Sequence, residues 1–328
     1  MINNIQIIRA MAVLMVVAYH SVGLLHRYGF DFNDYSGIGT WGAFGVDLFF
    51  VISGYVIAMI DNVKKKTPIA FFKDRVIRIV PIYWFFTLLM IFTQACYPDA
   101  FRMGISSSEQ NISSMLFLSH FMGYAYPTLY VGWSLELEMA FYAIFAIFLL
   151  SYNRIIRSGG LVLLVVLMVF LGLMKPIAIE FLFGVGLYYI INFSNLNNKF
   201  NSVLFAPAVV FLIVVMALID APTELSSWLS ALVIGIISFI VVAVSIICVD
   251  SRKNIVTYIG DMSYSIYLVQ VFSLPLIMKL SSRVVESSYG FYVFCISILF
   301  TILIGSVFYE VVEKKVVNIM KGKYAKVY

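Results

Sequence analysis

Apolar runs of about twenty residues recur along nearly the whole chain, each separated from the next by a short polar break. Wound as a helix at about 1.5 Å per residue, such a run matches the roughly 30 Å hydrocarbon core of a bilayer. Ten runs fall near residues 5–25, 41–61, 76–96, 129–150, 160–174, 176–192, 203–219, 229–249, 259–279 and 290–312. The 328 residues are 62% hydrophobic and only 12% charged, where soluble chains run at about 45–50% and about 25%. A water-soluble fold lacks the interior to hide so much apolar surface. The expected architecture is therefore all-α: a polytopic integral membrane protein of about ten transmembrane helices, in a single domain over residues 1–328 with no appended soluble domain.

The charges that remain are informative by position. With the N-terminus in the cytoplasm, 17 of the 22 Lys and Arg residues fall inside and five outside (Arg27, Arg102, Lys175, Lys279 and Arg283). An even number of spans then leaves both termini cytoplasmic. The net charge of +5 is explained by this edge placement, so no nucleic-acid partner is expected. Lys64, Lys65 and Lys66 read as anchors or as contacts to anionic membrane lipids. Met1 to Gln6 carries no basic residue and no small-residue cleavage site follows, so the first run is expected to stay as a helix. Cys96, Cys248 and Cys295 lie in apolar runs without paired spacing, which predicts neither a disulfide framework nor a metal site. Lys175 and Pro176 alone part the fifth and sixth runs, leaving open a hairpin or one broken helix. The longest polar break, 97–128, falls outside, and its apolar segment 115–123 is too short to cross; it is expected to be re-entrant or interfacial.

Ionisable groups inside spans are costly, about 2.5–3.5 kcal/mol each on insertion scales, and mark candidate functional positions. Arg9 and His20 stand eleven residues apart in the first run. At 100° per residue they share a face, with roughly 16 Å of rise between them. Ordinary roles exist for both, Arg9 reaching to the inner interface and His20 bonding a neighbouring helix. Imidazole is nevertheless the side chain whose ordinary pKa suits reversible proton transfer near neutrality; His26 and His120 are weaker candidates. In the second run Asp47 and Gly54 share a face, and the small residues permit close helix approach or a bend. A buried carboxylate needs a partner, and His20 or Arg9 are the expected ones for Asp47. Arg75 and Arg78, three residues apart at the cytoplasmic mouth of the third run, suit phosphate contacts, although positive-inside anchoring also accounts for two such residues. Trp133-Ser134-Leu135-Glu136-Leu137-Glu138 opens the fourth run. Its two carboxylates are turned about 200° apart and cannot act as one close dyad. Glu180, beginning the sixth run, is a further buried carboxylate.

Taken together these segments resemble a known family. Arg9 through His20, Gly45-Val46-Asp47-Leu48-Phe49-Phe50-Val51-Ile52-Ser53-Gly54-Tyr55, Arg75-Val76-Ile77-Arg78-Ile79-Val80-Pro81-Ile82-Tyr83 and Trp133 to Glu138 are similar, in order, to motifs of the acyltransferase-3 family of membrane acyltransferases. Gly260-Asp261-Met262-Ser263-Tyr264-Ser265-Ile266-Tyr267-Leu268 resembles its late motif, and Tyr309 with Glu313 the terminal one. Gln270 and Lys314-Lys315 depart from residues that many members carry, His and Pro respectively. The resemblance implies a multi-pass protein of the bacterial inner membrane that O-acylates, often O-acetylates, a cell-envelope sugar, drawing the acyl group from cytoplasmic acyl-CoA. It implies that His20 is essential and Arg9 important.

The expected chemistry follows. Arg9, Arg75 and Arg78 bind the phosphates of acetyl-CoA or another acyl-CoA, which acts as co-substrate with no permanently bound cofactor. His20 is the general base for a hydroxyl of a polysaccharide or lipid-linked sugar; Trp133, Ser134 and Glu136 lie with the acceptor, and Asp47 or Glu138 orients His20. Covalent transfer through His20, Ser53 or Ser134 is the other chemical route, disfavoured because no serine stands in a nucleophile-elbow context. Self-association into a homo-oligomer stays open. The rival class is a transporter or flippase of lipid-linked sugars or acyl groups, which would release no free thiol from acyl-CoA.

Overall fold

The computed structural model describes residues 2–64, 66–101, 104–151, 153–196, 200–218 and 228–325. Of the basic residues that set the topology above, Lys65, Arg102, Lys199 and Lys326 lie outside these. In chain order come α1 (Asn3–Arg27), a helical turn at Ile38–Trp41, a 3-10 turn at Gly42–Phe44, α2 (Gly45–Lys64), α3 (Pro68–Cys96), α4 (Ser108–Met115) and α5 (Gly132–Phe148). There follow α6 (Arg154–Phe170), α7 (Ile179–Ser194), α8 (Phe205–Leu218), α9 (Trp228–Ile247), α10 (Ile255–Asp261), α11 (Ser263–Ser281) and α12 (Gly290–Phe308). A π-helical turn at Tyr309–Glu313 leads into α13 (Lys314–Ala325). Among the described residues no strand forms beyond an isolated bridge between Phe200 and Cys248.

Each apolar run read from the sequence overlaps a helix, and the run 259–279 is divided between two, α10 and α11. Eight helical segments are long and apolar enough to cross a membrane, and Ile156–Phe170 and Phe205–Leu218 are shorter apolar helices. The 14 residues of α8 rise only about 21 Å, less than the hydrocarbon thickness. α6 and α7 are separate helices. Between them the chain turns at Gly172, with φ 71°, and passes a 3-10 turn at Pro176–Ala178.

Two compact units form, one from Met1–Val63 with Ile179–Tyr309, the other from Lys64–Ala178 with Glu310–Tyr328. In the first, α1 is the axis, packed by α9, α10, α11, α12 and the turns at Ile38–Phe44. The first backbone N–H groups of a helix have no partner within it. Those of Asn3 and Asn4 donate to the Asp250 carboxylate at 3.0 and 2.8 Å, and the Asn4 side chain accepts from the Ser251 N–H at 3.0 Å. Further along, Ser21 meets Ser297 of α12 at 2.7 Å, and Ser273 of α11 meets Thr301 of α12 at 2.8 Å. Such pairs satisfy hydroxyls that lipid would leave unbonded.

Glycines set the closest approaches. A Cβ on Gly54 would overlap the Phe181 carbonyl, and one on Gly184 would overlap that of Val51, so α2 and α7 touch backbone to backbone. Phe50 lies on Phe181 and Tyr55 on Tyr188, with ring centroids 4.5 and 5.8 Å apart. Steps of four along α2 match steps of four along α7, which makes the pair parallel. Of the two roles open to Gly54, close approach and a bend, the structure shows the close approach. Gly260 of α10 lies against the Gln6 carbonyl of α1 in the same way.

In the second unit α3 is the longest helix, capped by the Thr67 hydroxyl, which accepts the Ala70 N–H at 3.3 Å, with Pro68 in its first turn. It packs on α4, α5 and α13. Tyr83, fully buried in the middle of α3, bonds the Ser114 hydroxyl at 2.9 Å and stacks on Phe117 at 4.6 Å. Gly132 admits the Tyr83 ring beside the start of α5.

Replacing Gly54 or Gly184 by Ala should lower stability by about 1–3 kcal/mol, because the new methyl group meets rigid backbone. Gly186, with open space at its Cβ, is the control, and thermal unfolding in detergent should leave Gly186→Ala near wild type while both other variants melt earlier.

Candidate active site

Among the predicted site residues the first unit holds Arg9, His20 and Asp47. Arg9 is buried, and its Nη2 donates to the Ser263 hydroxyl at 2.9 Å. Ser263 begins α11 three residues after Gly260, the glycine that lets α10 press on α1. The late motif at 260–268 is thus the seat of the arginine in the first. His20 lies on α1 eleven residues beyond Arg9, its ring edge-on to Tyr19 with centroids 5.0 Å apart. Asp47, 2% exposed, meets neither His20 nor Arg9, the partners expected from sequence; its carboxyl faces that of Glu180, which is fully buried. The reason is the glycine contact between α2 and α7, which brings Glu180 into the same four-residue register as Asp47, Val51 and Tyr55.

The second unit holds the rest, and it separates the two carboxylates that open α5 as their angular spacing requires. Glu136, 3% exposed, accepts the backbone N–H of Ser119 at 3.0 Å and that of His120 at 3.1 Å. It therefore anchors the segment predicted to be too short to cross. That segment leaves α4 through Phe117 at φ 61°, a conformation strained for a bulky residue, and closes through Gly123 at φ 82°. Glu138 accepts the Tyr142 hydroxyl. The Tyr142 ring in turn lies 5.7 Å from the Arg75 guanidinium, with Phe71 also at 5.7 Å. Ser134, buried, donates to the Val131 carbonyl at 3.3 Å, the bond of a first-turn helical serine.

Arg75 and Arg78 do not stand alone. Arg75 is buried, and its Nε has no hydrogen-bond acceptor among the described residues. Lys321 of α13 comes within electrostatic range of Arg75, Arg78 and Lys66, with Asp74 as the acidic member of the group. Asp74 is itself bonded to Lys66. Four cations are thus gathered around one carboxylate. Lys321 has no local signal in the sequence; only the packing of α13 on α3 brings it here.

Beside Glu136, the Lys175 ammonium lies 4.8 Å from the Trp133 ring centroid and 5.7 Å from that of Tyr126. Burial pushes its pKa down, and the Glu136 carboxylate pushes it back up. Burial, then the Lys175 charge, lowers that of His120, against a hydrogen bond to the Gly172 backbone.

Comparison with known proteins bears on the whole arrangement. The exopolysaccharide production protein ExoZ of Rhizobium meliloti is 32% identical over 261 residues, covering 73% of this chain and 79% of that protein. The peptidoglycan O-acetyltransferase OatA of Listeria monocytogenes is 28% identical over 56% of the chain, and the O-acetyltransferase OatA of Staphylococcus aureus 24% identical over 93% of it. These matches span only 30% and 55% of the two OatA proteins' own length. No solved structure matches the chain. The family model described as an acyltransferase domain matches residues 2–310, which include the Arg9–Ser263 contact, both arginines of α3 and both carboxylates of α5. The chain belongs to the acyltransferase-3 family.

Proposed function

We propose that this protein is a membrane O-acyltransferase that moves an acyl group, acetyl in the first instance, from cytoplasmic acyl-CoA to a hydroxyl of an envelope or exported polysaccharide. Membership of the acyltransferase-3 family supports the reaction class, and the relatives named for exopolysaccharide production and for peptidoglycan O-acetylation support a glycan acceptor. The observation that carries the donor assignment is the cation group on α3 and α13. Coenzyme A brings several phosphate charges, and a buried Arg75 with an unmet Nε, joined by Arg78, Lys66 and Lys321, is chemistry suited to them. With the N-terminus inside, that group faces the cytoplasm and the Glu136 loop faces outside, so both termini of a multi-pass inner-membrane protein are cytoplasmic.

In this reading His20 takes the proton of the acceptor hydroxyl as its oxygen attacks the thioester carbonyl. The C–S bond breaks, the coenzyme leaves as its thiolate, and the proton held on His20 neutralises it. Arg75 and Arg78, with Lys66 and Lys321, bind donor phosphate, and Arg9 is held by Ser263 in the first unit. Trp133 and the loop held by Glu136 receive the sugar. Glu138 acts through Tyr142 on Arg75, which makes it a positioning residue for the donor. Asp47, with Glu180 as its neighbour, positions α2 against α7. No cofactor stays bound through the cycle.

The deciding assay is release of free thiol from labelled acetyl-CoA by the purified protein, dependent on an added glycan acceptor, which a transporter would not produce. His20→Ala should cut the rate by about a hundredfold to ten-thousandfold with folding intact; a wild-type rate in this variant would remove the base from His20. Arg75→Ala and Lys321→Ala should each raise the KM for acetyl-CoA while leaving that for the acceptor unchanged, read by varying one substrate at a time.

A further inference from the structure

Lys175 is held in place from both sides of the chain. Met174, Ile177 and Ala178 are buried at 1% exposure or less, and Pro176 stiffens the turn between them. From this backbone the lysine carries its ammonium over Trp133 and Tyr126. Tyr126 remains half exposed, so the ring pair is open on one side.

An ammonium has three N–H donors. Among the described residues the Lys175 ammonium lies against these two rings, with neither a hydrogen bond nor an ion pair. The nearest carboxylate, Glu136, sustains the charge of Lys175 electrostatically, but each of its oxygens already accepts a backbone N–H from the short loop. On the side that Lys175 occupies, the rings offer no place for a second cation. Among incoming groups an anion gains most from the free donors of this ammonium, through charge-assisted hydrogen bonds, and the aromatic rings beside it suit the apolar face of a sugar.

We propose that Lys175, with Trp133 and Tyr126, forms an anion subsite for the acceptor, taking a carboxylate or phosphate group borne by the saccharide. The inference rests on the acyltransferase reading for the meaning of the word acceptor, and it makes Lys175 a specificity residue that favours acidic over neutral glycans. It takes no part in moving the acyl group.

The test uses the full-length protein in detergent, with Lys175→Met, which keeps an apolar stem on the rings and removes the charge, and Lys175→Arg, which restores the charge. Probes are a glucuronate-containing tetrasaccharide, a phosphorylated tetrasaccharide and their neutral counterpart. Tryptophan fluorescence titration reads binding, and acceptor KM and kcat are read from thiol release. Wild type should bind at least one anionic probe about tenfold or more tightly than the neutral one, with the preference shrinking as salt rises. The preference should vanish in Lys175→Met, return in Lys175→Arg, and appear in KM with kcat unchanged. Affinity for the neutral probe should be the same in all three proteins. Which anionic probe binds more tightly assigns the subsite to a uronate or to a phosphate. Equal binding of all three probes by wild type overturns the proposal, as does an equal loss for every probe in Lys175→Met, which would make the lysine a packing element. If wild type releases no thiol with any acceptor, the acyltransferase reading fails, while the titrations still decide the subsite.

Discussion

A polar group in lipid must find its partner within the protein, and the first helix is where this constraint is heaviest. Asn3, Asn4, Arg9 and Ser21 all lie on α1, and all are met by residues far along the chain: Asp250, Ser251, Ser263 and Ser297. The first unit is closed by these bonds. They fix the axial position of α1 against α10, α11 and α12, and the Gly260 contact with the Gln6 carbonyl brings the backbones close enough for the Arg9 bond to form. Two segments at opposite ends of the sequence are thus one structural element, which explains why the motif at 260–268 accompanies the motif at 9–20.

The second unit solves the same problem differently. Glu136, buried, accepts backbone N–H groups of a loop, and Glu138, half-buried, accepts the hydroxyl of Tyr142 one turn along its own helix. The angular offset between them sends one toward the loop and the other toward Arg75. A single helix opening, Trp133 to Glu138, therefore organises both ends of a proposed path from donor to acceptor.

Much of this was legible beforehand. The helices, the separation of roles between Glu136 and Glu138, a close approach or a bend at Gly54, and the failure of 115–123 to cross follow from run length, periodicity and residue size. Order and spacing of motifs pointed to the family. Three features were not legible. Asp47 faces Glu180 where a histidine or arginine was expected, Lys321 joins the arginines of α3, and Lys175 lies on Trp133. Each depends on which helix lies against which, and at what register.

By itself the sequence determined that the chain belongs in lipid, where its helices run and which of its few charges are enclosed, because helix length and apolar periodicity are local quantities fixed by consecutive residues. Only the tertiary structure decided the partner of each enclosed charge. Pairing between helices depends on glycine contacts such as Gly54 on Phe181 and Gly260 on Gln6, and a shift of one turn would give every polar group a different neighbour.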